Sequence, residues 1–269
     1  LRNERSNLLK ISADVFASEF RTKRREMKKH AVHIGTSGWS YKHWINTFYP
    51  SEVKAKDRFA YYQRYFDTVE INNTFYKLPK KETFISWREA VPEDFRYIVK
   101  ASRFITHMKK LRDPVQSSTL FFEQVIYLEE KLGAILFQLP PIMKNNEALL
   151  EDFLKQLPKG YRYVFEFRNS DWYRDSTYAL LKEYNCAFCI YELNEHLSPI
   201  EITADFVYLR LHGPGGKYQG NYSEDVLKKW ARQCRIWLKS KDVYVYFDND
   251  EMGYAAFNAI RLKELVGNK

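Results

Sequence analysis

Short apolar runs recur along this chain, each finishing in a charged or amide residue and giving way to a stretch with helical spacing. Eight such runs can be marked, at residues 31–35, 68–72, 95–101, 133–139, 161–167, 186–191, 206–211 and 243–247, and each reads as a strand. Helices are predicted near 54–66, where Phe59, Tyr62, Tyr65 and Phe66 keep helical spacing, and from Lys81, just after Pro79. Others are predicted over 117–131 with Ser117 as N-cap, and over 175–184, 223–240 and 251–266. Strand 4 stops at the Pro140-Pro141 breaker, and residues 192–204, with Pro199, make a poor helix, so an irregular segment is expected after strand 6. This alternation predicts an α/β fold built as a single (β/α)8, TIM-type barrel over residues 31–269.

The polar residues at the run ends come in pairs two apart: Glu70/Asn72, Lys100/Ser102, Glu166/Arg168, Arg210/His212 and Asp248/Asp250, with Gln138 alone. Residues two apart share one face of a strand, so each pair should point the same way at a carboxyl end. Polar groups gathered at one end of a barrel form a functional mouth. The segment 36–53 carries Trp39, Tyr41, Trp44, Phe48 and Tyr49, too many rings for an ordinary loop, and is expected to fold over that mouth or to plug core.

Composition adds less. Hydrophobic content of 45% and charged content of 29% are ordinary for a globular protein and exclude disorder over most of the chain. The 17% aromatic content supplies rings for cores and for pockets that take sugars or bases. A net charge of +9 would suggest nucleic acid, but residues 1–30 hold nine Lys/Arg against four acids, which is +5 of it. The barrel itself is only mildly basic. The basic N-terminal extension, 1–30, reads as a solvated polar face, a helix packed outside the barrel, an arm for an acidic partner or, in part, a cloning remnant. Cys186, Cys189 and Cys234 are an odd, sparse set without a signal-peptide pattern, which predicts a reducing cytoplasm and no disulfide framework. Cys186 and Cys189 lie three apart in a strand and should face opposite sides. No apolar run reaches the ~18 residues of a membrane span.

The motifs GTSGWSY (35–41) with Trp44 and FYP (48–50), VEINNTFY (69–76), Lys100-Ala101 with ITH (105–107), LFQLPP (136–141), FEFRNSDW (165–172), YLRLHG (208–213) and YVYFDND (244–250) together resemble the YecE-like family, domain of unknown function seventy-two. The resemblance covers roughly residues 33–267. It implies a TIM-type barrel with a biochemical role not settled, loosely akin to the xylose-isomerase and endonuclease IV barrels, a kinship that carries the expectation of nucleic-acid handling. Many members carry Asn where this chain has Asp248, and an Asp near the end of strand 6 where it reads Tyr191-Glu192.

At the mouth, Glu166 sits between Phe165 and Phe167, and a carboxylate there must be desolvated or paired, with Arg168 and Arg210 as candidate partners. The functional reading makes Glu70 or Glu166 a general acid or base and lets Arg168, Arg210 and Lys100 bind an anion; the alternative is a buried ion network that fixes barrel register. His212, before Gly213-Pro214-Gly215-Gly216, shares the pocket side with Arg210 and can shuttle protons. That glycine-rich turn, with Lys217, Tyr218 and Tyr222, is a weak phosphate-loop candidate. His107 is either a site group or a loop histidine satisfied locally, and His33 is expected to pack. No HxH, HxxxH or HxD spacing occurs, and the nearby cations would repel a metal ion, so none is expected. Glu70, Glu166 and His212 are thus the candidate catalytic residues. Asn72, Tyr76, Lys100, His107, Gln138, Arg168, Trp172, Arg210, Tyr218, Tyr222, Asn249 and Asp250 are the candidate ligand-binding set.

The function expected is acid–base catalysis on an anionic or phosphorylated small molecule or sugar, by a hydrolase, isomerase or lyase. The alternatives are a nucleic-acid binder or endonuclease IV-like nuclease, and a ligand sensor on a barrel scaffold. The sequence identifies no cofactor and no oligomeric state, and barrels of this type host many chemistries.

Overall fold

The computed structural model describes residues 30–267. All but the last residue of the predicted basic extension therefore lies outside the described residues. Strands β1 (Val32–Thr36), β2 (Thr68–Ile71), β3 (Arg96–Lys100), β4 (Leu132–Leu139), β5 (Tyr163–Phe167), β6 (Ala187–Leu193), β8 (Phe206–Leu211) and β9 (Asp242–Phe247) form a parallel barrel, with β7 (His196–Leu197) an antiparallel appendage of β6. Neighbours run β1-β9-β8-β6-β5-β4-β3-β2. The β7 hairpin stands where the sequence predicted an irregular segment in place of a helix.

The ring closes between β1 and β2 without a regular ladder. A single bridge joins Ser37 to Glu70, and Gly38 N–H donates to Glu70 O at 2.8 Å. Below it the Tyr62 hydroxyl fills the seam, accepting from Thr36 N at 3.1 Å and donating to Thr68 O at 3.0 Å. Gly35 is required there, because a Cβ would lie 2.5 Å from Thr68 O.

Strand periodicity divides the apolar residues into two cores. Val207, Leu209, Val243, Val245, Phe165 and Phe188 face the helices, whereas Ile98, Leu136, Val164, Cys189, Tyr208 and Tyr246 fill the barrel interior. Cys186 lies in the outer core and Cys189 in the inner one, on opposite faces as predicted, and all three cysteines are free.

The helices are α1 (Arg58–Tyr62), α2 (Asn73–Tyr76), α3 (Lys81–Glu89), α4 (Pro114–Val125), α5 (Glu147–Gln156), α6 (Asp175–Glu183), α7 (Glu224–Trp237) and α8 (Tyr254–Gly267). Several predicted boundaries need correction, beginning with the helix expected over 54–66, of which only Arg58–Tyr62 is α-helical, after a 3-10 turn at Ala55–Asp57. Ser117 is no N-cap: α4 starts at Pro114, whose fixed φ suits a first helical turn, and buried Ser117 bonds back to Pro114 O at 3.3 Å. The predicted helix over 117–131 breaks after Val125 into a 3-10 segment in which Glu129 adopts φ 48°. The closing helix begins at Tyr254 because Gly253, at φ 77°, ends the preceding turn. Helix α5 was not predicted. Its Asn146 cap accepts from Leu149 N at 3.0 Å, and Leu150, Phe153 and Leu154 bury its inner stripe. No helix among the described residues is long and apolar enough to cross a membrane.

Candidate functional site

The inward-facing stacks of β2, β3, β4, β5 and β8 lead at their carboxyl ends to polar groups, which brings Glu70, Lys100, Gln138, Glu166 and Arg210 toward one centre. Arg210 is the hub. Its Nη1 donates to Glu166 Oε2 and its Nη2 to Glu70 Oε1, both at 2.7 Å, with Asp248 Oδ2 3.4 Å from Nη2. Glu70 also accepts from Ser37 Oγ at 2.7 Å and Tyr208 OH at 2.6 Å. Arg168 Nε donates to Glu166 Oε1, and its guanidinium lies 4.6 Å from the Tyr191 ring centroid.

Buried charge on this scale is tolerated only when every ion is paired and bonded. Glu70, Glu166, Arg210 and His212 are all at most 1% exposed. Burial alone would raise the Glu166 pKa, but Arg168 and Arg210 outweigh it and hold the carboxyl well below the usual range. Burial and the Arg210 charge bring His212 down to about 4, so the imidazole is neutral near pH 7. Its Nε2 lies 2.9 Å from Arg168 Nη2, which can only donate, so Nε2 accepts and the proton sits on Nδ1, 3.0 Å from Asp248 Oδ2. Burial would raise Asp248, but the His212 bond and the Arg210 charge leave its pKa lowered.

Above this floor Lys100 Nζ donates to Gln138 Oε1 at 2.7 Å and lies 4.7 Å from the Phe75 ring centroid, against which His107 packs edge-on at 4.9 Å. Burial first, then Arg210, lowers Lys100 to about 8. Lys100, Gln138, Arg168 and Asp248 keep partial exposure, so the groups a ligand can touch differ from the sealed ones beneath. Beside them a cavity of about 370 Å³ opens between the aromatic loop and β2, lined by Trp39, Tyr41, Ile71, Asn72, Asn73 and Tyr76. Asn72 Oδ1 is buried there without a hydrogen-bond partner among the described residues. A larger cavity, about 550 Å³, lies at the opposite, amino-terminal end between the starts of β5 and β6, away from these charges.

A family profile described as a protein of unknown function, DUF72, matches residues 33–269. The chain belongs to the DUF72 family. The resemblance read from the motif blocks is thereby confirmed. This DUF72 chain is 26% identical over 270 residues to UPF0759 protein YunF of Bacillus subtilis strain 168, covering 87% of the chain and 94% of that relative. It is 32% identical over 143 residues to UPF0759 protein YecE of Escherichia coli K12, covering 53% of the chain and 50% of the relative. The crystal structure of a DUF72 family protein from Thermotoga maritima MSB8 superposes with a TM-score of 0.78 at 30% identity, over 88% of this chain and 99% of that one. Another from Enterococcus faecalis V583 shares the fold at a TM-score of 0.75 and 21% identity, over 88% and 96% of the two chains.

Within this DUF72 barrel the remaining candidates take varied places. Tyr218 covers His212, their rings 5.5 Å apart, and Tyr76 stands 74% exposed at the side cavity. Asp250 turns to Trp44 Nε1 and to His43 Nε2, the latter at 2.8 Å, and so fastens the aromatic loop. Asn249 Nδ2 donates to Gly220 O at 2.9 Å and Asn258 Oδ1 at 2.8 Å, tying the glycine-rich loop to α8. Tyr222 accepts from Gly213 N at 3.0 Å, which occupies that backbone N–H of the weak phosphate-loop candidate. Trp172 is fully buried and donates to Met143 O at 2.8 Å. His33 packs, as expected, against Asp67 and the Tyr244 ring. Among the described residues no group of three His, Cys, Asp or Glu is placed to hold a metal ion.

Ser37, Tyr208 and Tyr191 belong to the centre yet were not among the candidates, and Asp248, paired with Asp250 at the mouth by its spacing, was given no role there. Tyr208 and Asp248 had a usable signal, since each lies two residues from a candidate, Arg210 and Asp250 respectively. Tyr191 lies in the inward stack of β6, and Ser37 stands in the GTSGWSY block just after β1.

Proposed function

We propose that the mouth binds an anionic small molecule, a sugar phosphate or sugar acid, and performs acid–base chemistry on it. The observation that carries this reading is the split between sealed and accessible charge. Glu70 and Glu166 are covered and bonded to guanidinium groups, while Arg168 and Lys100 remain reachable from solvent. In this role the two glutamates position the cations. Proton transfer falls to His212: an anion that draws Arg168 toward itself leaves Nε2 only the longer, 3.3 Å contact from Arg210 Nη1, with Asp248 holding Nδ1–H in the tautomer that turns Nε2 to the mouth. The adjoining aromatic cavity, near the lower end of the size range of small-molecule sites, offers ring faces and the Asn72 side chain to a polyhydroxylated ligand.

The test is a thermal-shift panel at low ionic strength, comparing sugar phosphates and sugar acids with the matching neutral sugars on wild type and Arg168→Gln. Anionic ligands should raise the Tm of wild type alone. Equal stabilisation by neutral sugars, or a shift that survives in Arg168→Gln, refutes the anion site.

A further inference from the structure

We propose that Lys100 is an imine-forming nucleophile, and that the anion taken up by the mouth is accordingly an aldehyde or ketone bearing a carboxylate or phosphate. This deepens the anion-binding reading of the same site and rests on it.

Three features of geometry carry the assignment. Lys100 ends β3 with its side chain turned into the barrel mouth, where substrate carbons would lie. Although three carboxylates crowd this centre, none lies within 4.0 Å of Nζ among the described residues; Arg210 bridges all three and Arg168 also binds Glu166. The only hydrogen-bond partner of Nζ there is the neutral amide of Gln138, and the Phe75 ring flanks it. An ammonium so placed lacks the counter-ion that normally keeps a buried lysine charged. With its pKa at about 8, roughly one lysine in ten is the free amine at pH 7, against fewer than one in a thousand for an ordinary lysine. The neighbouring anion receptor, Arg168, would hold the acidic end of the ligand while Nζ meets its carbonyl.

The step balances without a redox partner. Nζ attacks the carbonyl carbon, the C=O π pair moves to oxygen and takes a proton, and the resulting hydroxyl departs as water when the nitrogen lone pair closes C=N. The two protons of the amine end in that water.

Trapping on the wild-type chain tests the proposal and requires no variant to fold. The protein is treated with glyoxylate and cyanoborohydride, and carboxymethylated lysines are located by peptide mass mapping. Lys100 should be modified at least about ten-fold faster than exposed Lys77 at pH 7, be protected by inorganic phosphate, and prefer glyoxylate to neutral acetaldehyde. Its rate should level off above pH 8, set by burial and by Arg210, Glu166, Glu70, Asp248 and His107, which face it from the surrounding elements. Labelling no faster than at Lys77, with phosphate still raising Tm, overturns the nucleophile and leaves the anion site standing. Fast labelling that is indifferent to charge and to phosphate overturns the anion site instead.

Discussion

Replacing Arg210 with Met removes the hub of the buried network while keeping most of the side-chain volume. Two 2.7 Å charge-assisted bonds are lost, one to each glutamate, and two ionised carboxylates remain in a centre at most 1% exposed. Glu70 keeps Ser37 and Tyr208 as donors, and Glu166 keeps Arg168, so neither acid is stripped completely. Removing one partner of a buried ion pair costs about 3–5 kcal/mol, which for a domain of this size lowers Tm by roughly 6–20 °C. Urea unfolding followed by circular dichroism measures the cost, and Arg210→Met/Glu70→Gln completes a double-mutant cycle. The second substitution removes one orphaned charge and should restore at least half of the loss. A cost below about 1 kcal/mol, or no recovery in the double variant, would show that the carboxylates are not desolvated as the geometry requires.

Two further outcomes are expected. Glu166 has a folded pKa below its unfolded value, and so has His212; in both cases the unfolded state binds the extra proton, so stability is greatest at higher pH and falls in acid. The His212 contribution should be complete above pH 6.5 and lost down to about 4, with nitrogen-15 NMR showing an unchanging Nδ1–H tautomer from pH 8 to 5.5; protonation near pH 6.5 would contradict it. Tyr62→Phe should cost about 1–3 kcal/mol by leaving Thr36 N and Thr68 O unpaired in the β1–β2 seam, and should speed hydrogen exchange at the Thr36 amide; unchanged exchange would show that the seam closes without the hydroxyl.

Much of the fold was legible because strand and helix periods are local properties. All eight barrel strands fall within one or two residues of their apolar runs, and the β8 boundaries coincide with the predicted 206–211. Helix ends were less legible, since they depend on individual backbone angles such as those at Gly253, Asp113 and Glu129. The miss at α5 had no such excuse: Leu150, Phe153 and Leu154 carry helical spacing behind an Asn cap.

The spacing of Glu166/Arg168 and Arg210/His212 was sufficient by itself to place those pairs on the inward face, because alternation in a strand leaves no other choice. It could not say which charge answers which. Glu70 and Arg210 are 140 residues apart, and only closure of the ring sets them 2.7 Å from each other. That closure commits the carboxylates to the arginines, seals Glu70 and Glu166 from solvent, turns Asp250 outward to Trp44, and leaves Lys100 with an amide where a counter-ion would be expected. Pairing of long-range charges is a property of distance and burial in three dimensions, and neither quantity is written in the order of residues along the chain.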